Sequence, residues 1–244
     1  AAAFDPAVPA PALGVSGPDD LRQLVAAFNA LRLRVSAMVD EKDRMLGALG
    51  HDLRTPLAAL RVRVESVEDD TDRARMADTI AEMNRTLDDI LSLARVGRPS
   101  EPPTEVDLAA LVDAVVEDFR DLGAPVVLAD AARLPLRLRP GLMRRAVRNL
   151  IENAVKYGGG AAVRIEPTAE IAVVVSDDGP GIPPDRMEAV FDPFTRLEGS
   201  RNRDTGGIGL GLALARSIAR DAGGEVRLAN RPGGGLDAAL ILPR

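Results

Sequence analysis

The chain reads as a multidomain α and α/β protein. A helical hairpin pairs across a two-fold axis into a dimeric four-helix bundle, and a two-layer α/β sandwich follows it. Three observations predict this. Apolar residues recur at spacings of three and four over most of the stretch from Leu21 to Ala94. Gly97, Pro99, Pro102 and Pro103 then mark a boundary. Beyond it, helix-like and strand-like runs alternate to the C-terminus. The 244 residues could hold one large domain or two smaller ones, and a hydrophobic share of 46% with only 2% aromatics means cores of Leu, Val, Ile and Ala. A net charge of −6 and the scarcity of aromatics argue against a nucleic-acid surface. With no cysteine and one histidine, zinc sites that need two or more histidines are excluded, and a reducing compartment fits. No apolar run approaches the roughly 20 residues of a membrane-spanning helix.

The elements follow in order. Residues 1–18, rich in Ala, Pro and Gly, read as a linker or disordered terminus. Leu21, Leu24, Phe28, Leu31, Val35 and Met38 form a heptad seam that resumes at Met45 and Leu49, the mark of a helix pairing with another helix. The stripe continues through Leu53, Leu57, Leu60, Val64 and Val67, and the polar run Glu68 to Asp72 ends that helix. A second helix is predicted from about Asp72 to Val96, with Met76, Ile80, Met83, Leu87, Ile90 and Ala94 on its seam. One antiparallel hairpin leaves an apolar stripe uncovered, and two hairpins close it, so a homodimer is expected. Beyond the boundary, helices are predicted at 107–121, 141–157 and 209–222. Strands are predicted at 125–129, 134–138, 161–166, 170–175, 225–229 and 236–242.

Four groups of residues carry chemistry. His51, the only imidazole, stands in the run His51-Asp52-Leu53-Arg54-Thr55-Pro56-Leu57. At about 100° per residue it lies opposite the stripe through Leu49 and Leu53, so it projects into solvent, where a neutral imidazole near pH 7 is a nucleophile. Thr55 shares its face, and Pro56, which cannot donate to the Asp52 carbonyl, predicts a kink or loosened turn. Asn149 and Asn153, four apart on one helix, face the same way and could hold a magnesium ion bridging phosphates. Asp177, at the end of an apolar strand and followed by Gly179 and Gly181, can present a carboxylate where backbone approaches closely. Gly206, Gly207, Gly209 and Gly211 open a helix whose bare amides would cradle phosphates.

In their order these runs carry a resemblance. His51–Leu57 resembles the phosphoacceptor box of bacterial two-component sensor histidine kinases. Asn149–Tyr157, Ser176–Pro183, Phe191–Arg196 and Thr205–Ala215 resemble that family's nucleotide-binding boxes, and the likeness extends from about residue 19 to the end. It implies a HAMP-like second helix at 19–40, a dimerisation and histidine phosphotransfer hairpin at 41–98 and an ATP-binding catalytic domain at 104–244. It implies His51 as phosphoacceptor, Asp52 assisting its proton or orienting the ring, and Thr55 orienting a water that dephosphorylates the regulator. The implied nucleotide-binding set is Asn149, Asn153, Lys156, Tyr157, Asp177, Gly179, Gly181, Ile182, Arg196, Gly207, Gly209, Leu210, Gly211 and Leu212. Asn153 is the principal magnesium ligand, with Asn149 a second ligand or a polar support, and Asp177 receives the adenine amino group. Phe191–Thr205 matches a mobile lid, on which Arg196 aligns with the motif while Arg201 and Arg203 add cationic reach. The cofactors implied are ATP and Mg2+. The partners are a second copy and the receiver domain of a response regulator. The location is the cytoplasmic side of a bacterial inner membrane, with membrane helices upstream of this chain. Gly50 before the histidine, where many relatives carry serine, and Met45 in place of a frequent phenylalanine depart from the pattern without removing a catalytic group. A gyrase-, Hsp90- or MutL-like ATPase, or an ATP-binding module without kinase activity, would share the nucleotide site. The ATPases would not need the phosphoacceptor run on a helical hairpin.

Overall fold

A computed structural model describes residues 13–94, 101–196 and 208–244, and the chain divides into two compact units, one up to Asn84 and one from Arg85 onward. In the first, helix α1 runs from Asp19 to Val64, 46 residues or about 70 Å at 1.5 Å per residue. Asp19 and Asp20 open it and Arg61 and Arg63 close it, the charges each end of a helix dipole favours. Pro56 removes one ladder bond but does not interrupt the helix. Helix α2 spans Asp70–Ala94. It starts two residues before the predicted position because Asp69 caps it, its carboxylate accepting from the Asp72 N–H at 2.9 Å. The rest of the predicted helix, residues 95 and 96, lies outside the described residues.

Val64, Ile80, Leu87 and Leu91 are buried within this single copy. Leu24, Leu31, Met45, Leu49 and Leu53 are exposed, so the seam that predicted helix pairing stays open. No helix among the described residues is long and apolar enough to cross a membrane.

After the C-terminal part of α2, the second unit continues with strand β1 (Thr104–Asp107), which the sequence did not predict, and helix α3 (Leu108–Asp121). Strands β2 (Val126–Leu128) and β3 (Pro135–Leu138) follow, then helix α4 (Pro140–Gly158) and strands β4 (Ala161–Pro167) and β5 (Ile171–Asp177). Helix α5 (Gly211–Asp221) and strands β6 (Glu225–Asn230) and β7 (Leu236–Leu242) complete it, with single 3-10 turns at Pro184–Arg186 and Ala189–Phe191. The main sheet has the order β2-β4-β5-β7-β6, with β2 parallel to β4 and the other neighbours antiparallel. β3 departs from that sheet and pairs with β1 in a separate ribbon.

Strand alternation sets the layers. Ile171, Val173 and Val175 of β5 join Leu240 and Leu242 of β7 in the core with Val115, Met143, Leu150, Ile151, Leu214 and Ile218 from the three helices. Ala172, Val174 and Ile241 form a small cluster on the opposite face. Every residue of β5 is buried, and that strand delivers Asp177 to the centre of the sheet edge. The α4 and α5 helices pack side by side, α4 over β5 and α5 over β6 and β7.

Among the described residues of this unit, three carboxyls are held below their ordinary range. The Leu134 amide draws Asp107 down, helped by the amides that Asp107 caps at the start of α3. At Glu225 and Asp237 burial pushes the carboxyls up. At Glu225 the Val226 amide and the guanidinium groups of Arg220 and Arg216 outweigh it, and at Asp237 the Ser176 hydroxyl and Arg164 do. A carboxyl that titrates lower folded than unfolded stabilises fully above its unfolded pKa and loses that stabilisation as pH falls through its folded value. The melting temperature of the chain's second unit is therefore expected to hold between pH 7 and about 5 and to fall steadily below about pH 4. Circular dichroism melts across that series check this. A melting temperature unchanged at about pH 3 would contradict the role given to these contacts.

Candidate functional site

The first component lies on α1. The His51 side chain is 83% exposed, and its Nδ1 stands 3.4 Å from Oδ1 of Asp52, at the long end of hydrogen bonding. A carboxylate on the Nδ1 side favours the proton there, which leaves the Nε2 lone pair pointing outward. One turn on, the Thr55 hydroxyl donates to the His51 carbonyl at 3.2 Å. That spends the only proton of this hydroxyl, so its oxygen is left as an acceptor. Pro56 meanwhile deprives the Asp52 carbonyl of its usual amide donor four residues on.

The second component lies wholly in the second unit. A cavity of about 410 Å³, within the range of small-molecule sites, is lined by α4, the end of β5, the loop after it and the start of α5. Asn153 and Tyr157 line it from α4, Asp177, Gly181 and Ile182 from β5 and its loop, Thr195 and Arg196 beyond them, and Gly209, Gly211 and Leu212 at the head of α5. Asp177 is only 9% exposed, and its Oδ1 accepts from the Gly179 N–H at 2.8 Å. Its other oxygen accepts no hydrogen bond among the described residues. The residue before α5, Leu210, gives no side-chain cap, so the first-turn amides of that helix have no side-chain acceptor from it.

Not every predicted residue lines the cavity. Asn149, one turn before Asn153, is buried against Gly211, and its Nδ2 has no partner among the described residues. Leu210 is buried beside the cavity, and the Lys156 ammonium lies 5.2 Å from the centre of the Tyr157 ring. The N–H of Phe194, inside the predicted lid, bonds the carbonyl of Gly209, beyond it, at 3.0 Å. Residues 197–205 of that lid, with Arg201 and Arg203 among them, and Gly207 lie outside the described residues.

Comparison with known proteins decides the family. Residues 139–244 match the family described as histidine kinase-, DNA gyrase B- and HSP90-like ATPase, and residues 41–99 match the histidine kinase A phosphoacceptor domain. The chain belongs to the bacterial sensor histidine kinases. It is 37% identical over 237 residues to the sensor histidine kinase GtrS of Pseudomonas aeruginosa, covering 97% of this chain and 49% of that protein. It is 32% identical over 262 residues to the signal transduction histidine-protein kinase/phosphatase MprB of Mycolicibacterium smegmatis, covering 94% of this chain and 51% of that protein. The chain thus spans about half the length of these curated relatives. The crystal structure of full-length ShkA in complex with AMPPNP shares the fold at a TM-score of 0.66, with 24% identity over 82% of this chain and 45% of that one.

In this chain the glycine loop after Asp177 is held by residues that no sequence motif singled out. The Arg231 guanidinium donates to the Asp177 carbonyl at 2.9 Å and to the Asp178 carboxylate at 2.7 Å. Asn230 exchanges two hydrogen bonds with the backbone of Ile182. Gly235, at φ +96°, lies so close that a side chain there would collide with the Asp177 carbonyl. The Asn-Arg-Pro-Gly-Gly-Gly run between two predicted strands was the only available signal, and it reads as an ordinary turn.

Proposed function

We propose that this chain is the signalling portion of a membrane-bound sensor kinase, and that it transfers the terminal phosphoryl group of ATP to Nε2 of His51. The observation that carries the reading is the exposed imidazole with a carboxylate beside Nδ1. In the transfer the bond from the terminal phosphorus to the ADP oxygen breaks as the bond to Nε2 forms, and Asp52 assists the Nδ1 proton. Catalysis rests on alignment and charge neutralisation.

The cavity supports the ATP half. The unspent oxygen of Asp177 accepts the adenine amino group, the head of α5 receives phosphate oxygens, and Arg196 on the cavity wall adds positive charge. Asn153 offers a neutral amide oxygen at the cavity wall, which fits a magnesium ligand in a phosphate-bridging site. Asn149, buried one turn earlier with its Nδ2 unpaired among the described residues, is a second ligand or a polar support. Bound magnesium would neutralise phosphate charge there.

The exposed seam of α1 fits a second copy, which completes a four-helix bundle. The phosphoryl group then passes from His51 to an aspartate of a response-regulator receiver domain. Labelled ATP separates this reading from a gyrase-like ATPase: label retained on the protein supports the kinase, and steady phosphate release without label overturns it.

The same helix face supports regulator dephosphorylation, and the relative MprB is named a kinase/phosphatase. With its proton donated to the His51 carbonyl, the Thr55 oxygen can accept from a water and orient it. Thr55→Ala is expected to retain autophosphorylation and transfer while losing most regulator dephosphorylation, followed as phosphoaspartate decay with nucleotide present. Decay as fast as the parent's removes the role from this hydroxyl. An equal loss of autophosphorylation makes the threonine structural.

A further inference from the structure

The loop that follows Asp177 lacks regular structure from Asp178 to Pro183. It forms one wall of the cavity through Gly181 and Ile182. No helix or strand ladder fixes those residues, and their position sets where the Asp177 carboxylate and the loop backbone meet a base. The turn between β6 and β7 supplies the missing support at both ends. At the near end, Arg231 holds the Asp177 carbonyl and the Asp178 carboxylate. At the far end the Asn230 carboxamide imitates a strand partner: Nδ2 donates to the Ile182 carbonyl at 2.7 Å, and Oδ1 accepts from the Ile182 N–H at 2.9 Å. Gly181 lies directly beneath, where a side chain would stand 2.6 Å from the Asn230 Oδ1. The turn is in turn fixed by the Arg231 N–H on the Gly235 carbonyl at 3.0 Å.

We propose that Asn230 is a positioning residue for base recognition, a two-point clasp that holds the loop from Asp177 to Ile182 in its binding shape. The proposal rests on the reading of this cavity as the nucleotide site, and it adds to that reading a residue from outside the nucleotide-binding boxes. Alanine can make neither bond, and aspartate keeps the acceptor but sets a carboxylate against the Ile182 carbonyl. Both variants free the far end of the loop while leaving every group that lines the cavity in the sequence. The loss therefore falls on base affinity and not on phosphoryl transfer once ATP is bound.

The test compares the full chain with its Asn230→Ala and Asn230→Asp variants in two measurements. Calorimetry with ADP and magnesium is expected to show affinity reduced about tenfold in both variants, as the loss of a pair of buried-end hydrogen bonds would give. The stoichiometry should stay at the parent's value. Autophosphorylation against ATP concentration is expected to show a half-saturating concentration raised by a similar factor, with the maximal rate within about twofold of the parent's. Parent-like ADP affinity in the variants overturns the proposal. So does a fall in binding stoichiometry or maximal rate without a change in affinity, which marks a purely structural residue. If alanine prevents folding, the aspartate variant alone decides by the same criteria. If the parent binds ADP but takes no label, the kinase reading fails while the ADP series still decides the role of Asn230.

Discussion

Replacing His51 with glutamine is expected to reduce protein-bound label from ATP to background while leaving nucleotide binding unchanged. Glutamine is among the better helix formers and has comparable length, and the side chain it replaces is 83% exposed, so α1 loses no packing. What disappears is the ring nitrogen lone pair, since an amide nitrogen is not a nucleophile at neutral pH. No other imidazole exists in the chain to substitute for it. The cavity is built entirely from residues 150–238 of the second unit, so calorimetry with ADP should return the parent's affinity. Acid-labile label persisting on the variant would remove His51 from the reaction.

The second large effect is expected at Asp177. One carboxylate oxygen is committed to the Gly179 N–H, and the burial of the residue leaves little water to replace a lost partner. In Asp177→Asn the oxygen keeps that bond and the new NH2 faces the cavity, a donor set against the donating amino group of adenine. Losing a charge-assisted bond and burying two opposed donors costs about 2–3 kcal/mol, or roughly 30- to 150-fold in ATP affinity. Phosphoryl transfer at saturating ATP should survive in part, because the groups at the terminal phosphate are intact. ATP affinity unchanged by calorimetry would displace the base site from this carboxylate.

The extent to which these features are legible in the sequence follows from the range of the contacts. Helical periodicity is local, and it gave the hairpin and the solvent face of His51 directly. The apolar run that became β5 was legible as a strand, and the acidic and glycine residues after it as a place where a carboxylate meets closely approaching backbone. Strand β1 escaped because Thr-Glu-Val-Asp offers a single apolar residue, and only pairing with β3, about thirty residues on, makes it a strand. The start of α2 shifted because Asp69 is both turn residue and cap. Asn230 and Arg231 escaped for the same reason as β1. Their partners Ile182 and Asp177 lie 48 and 54 residues away, and no local pattern records such a contact.

Phosphorylation of His51 is tested most directly by incubating the parent chain with magnesium and ATP labelled in the terminal phosphate, then probing the stability of the bond and mapping the label. The expected result is protein-bound label that is lost in acid and kept in alkali, as a phosphoramidate requires, on the peptide that contains His51. Label stable to acid, label on another peptide, or phosphate release with no label would contradict it.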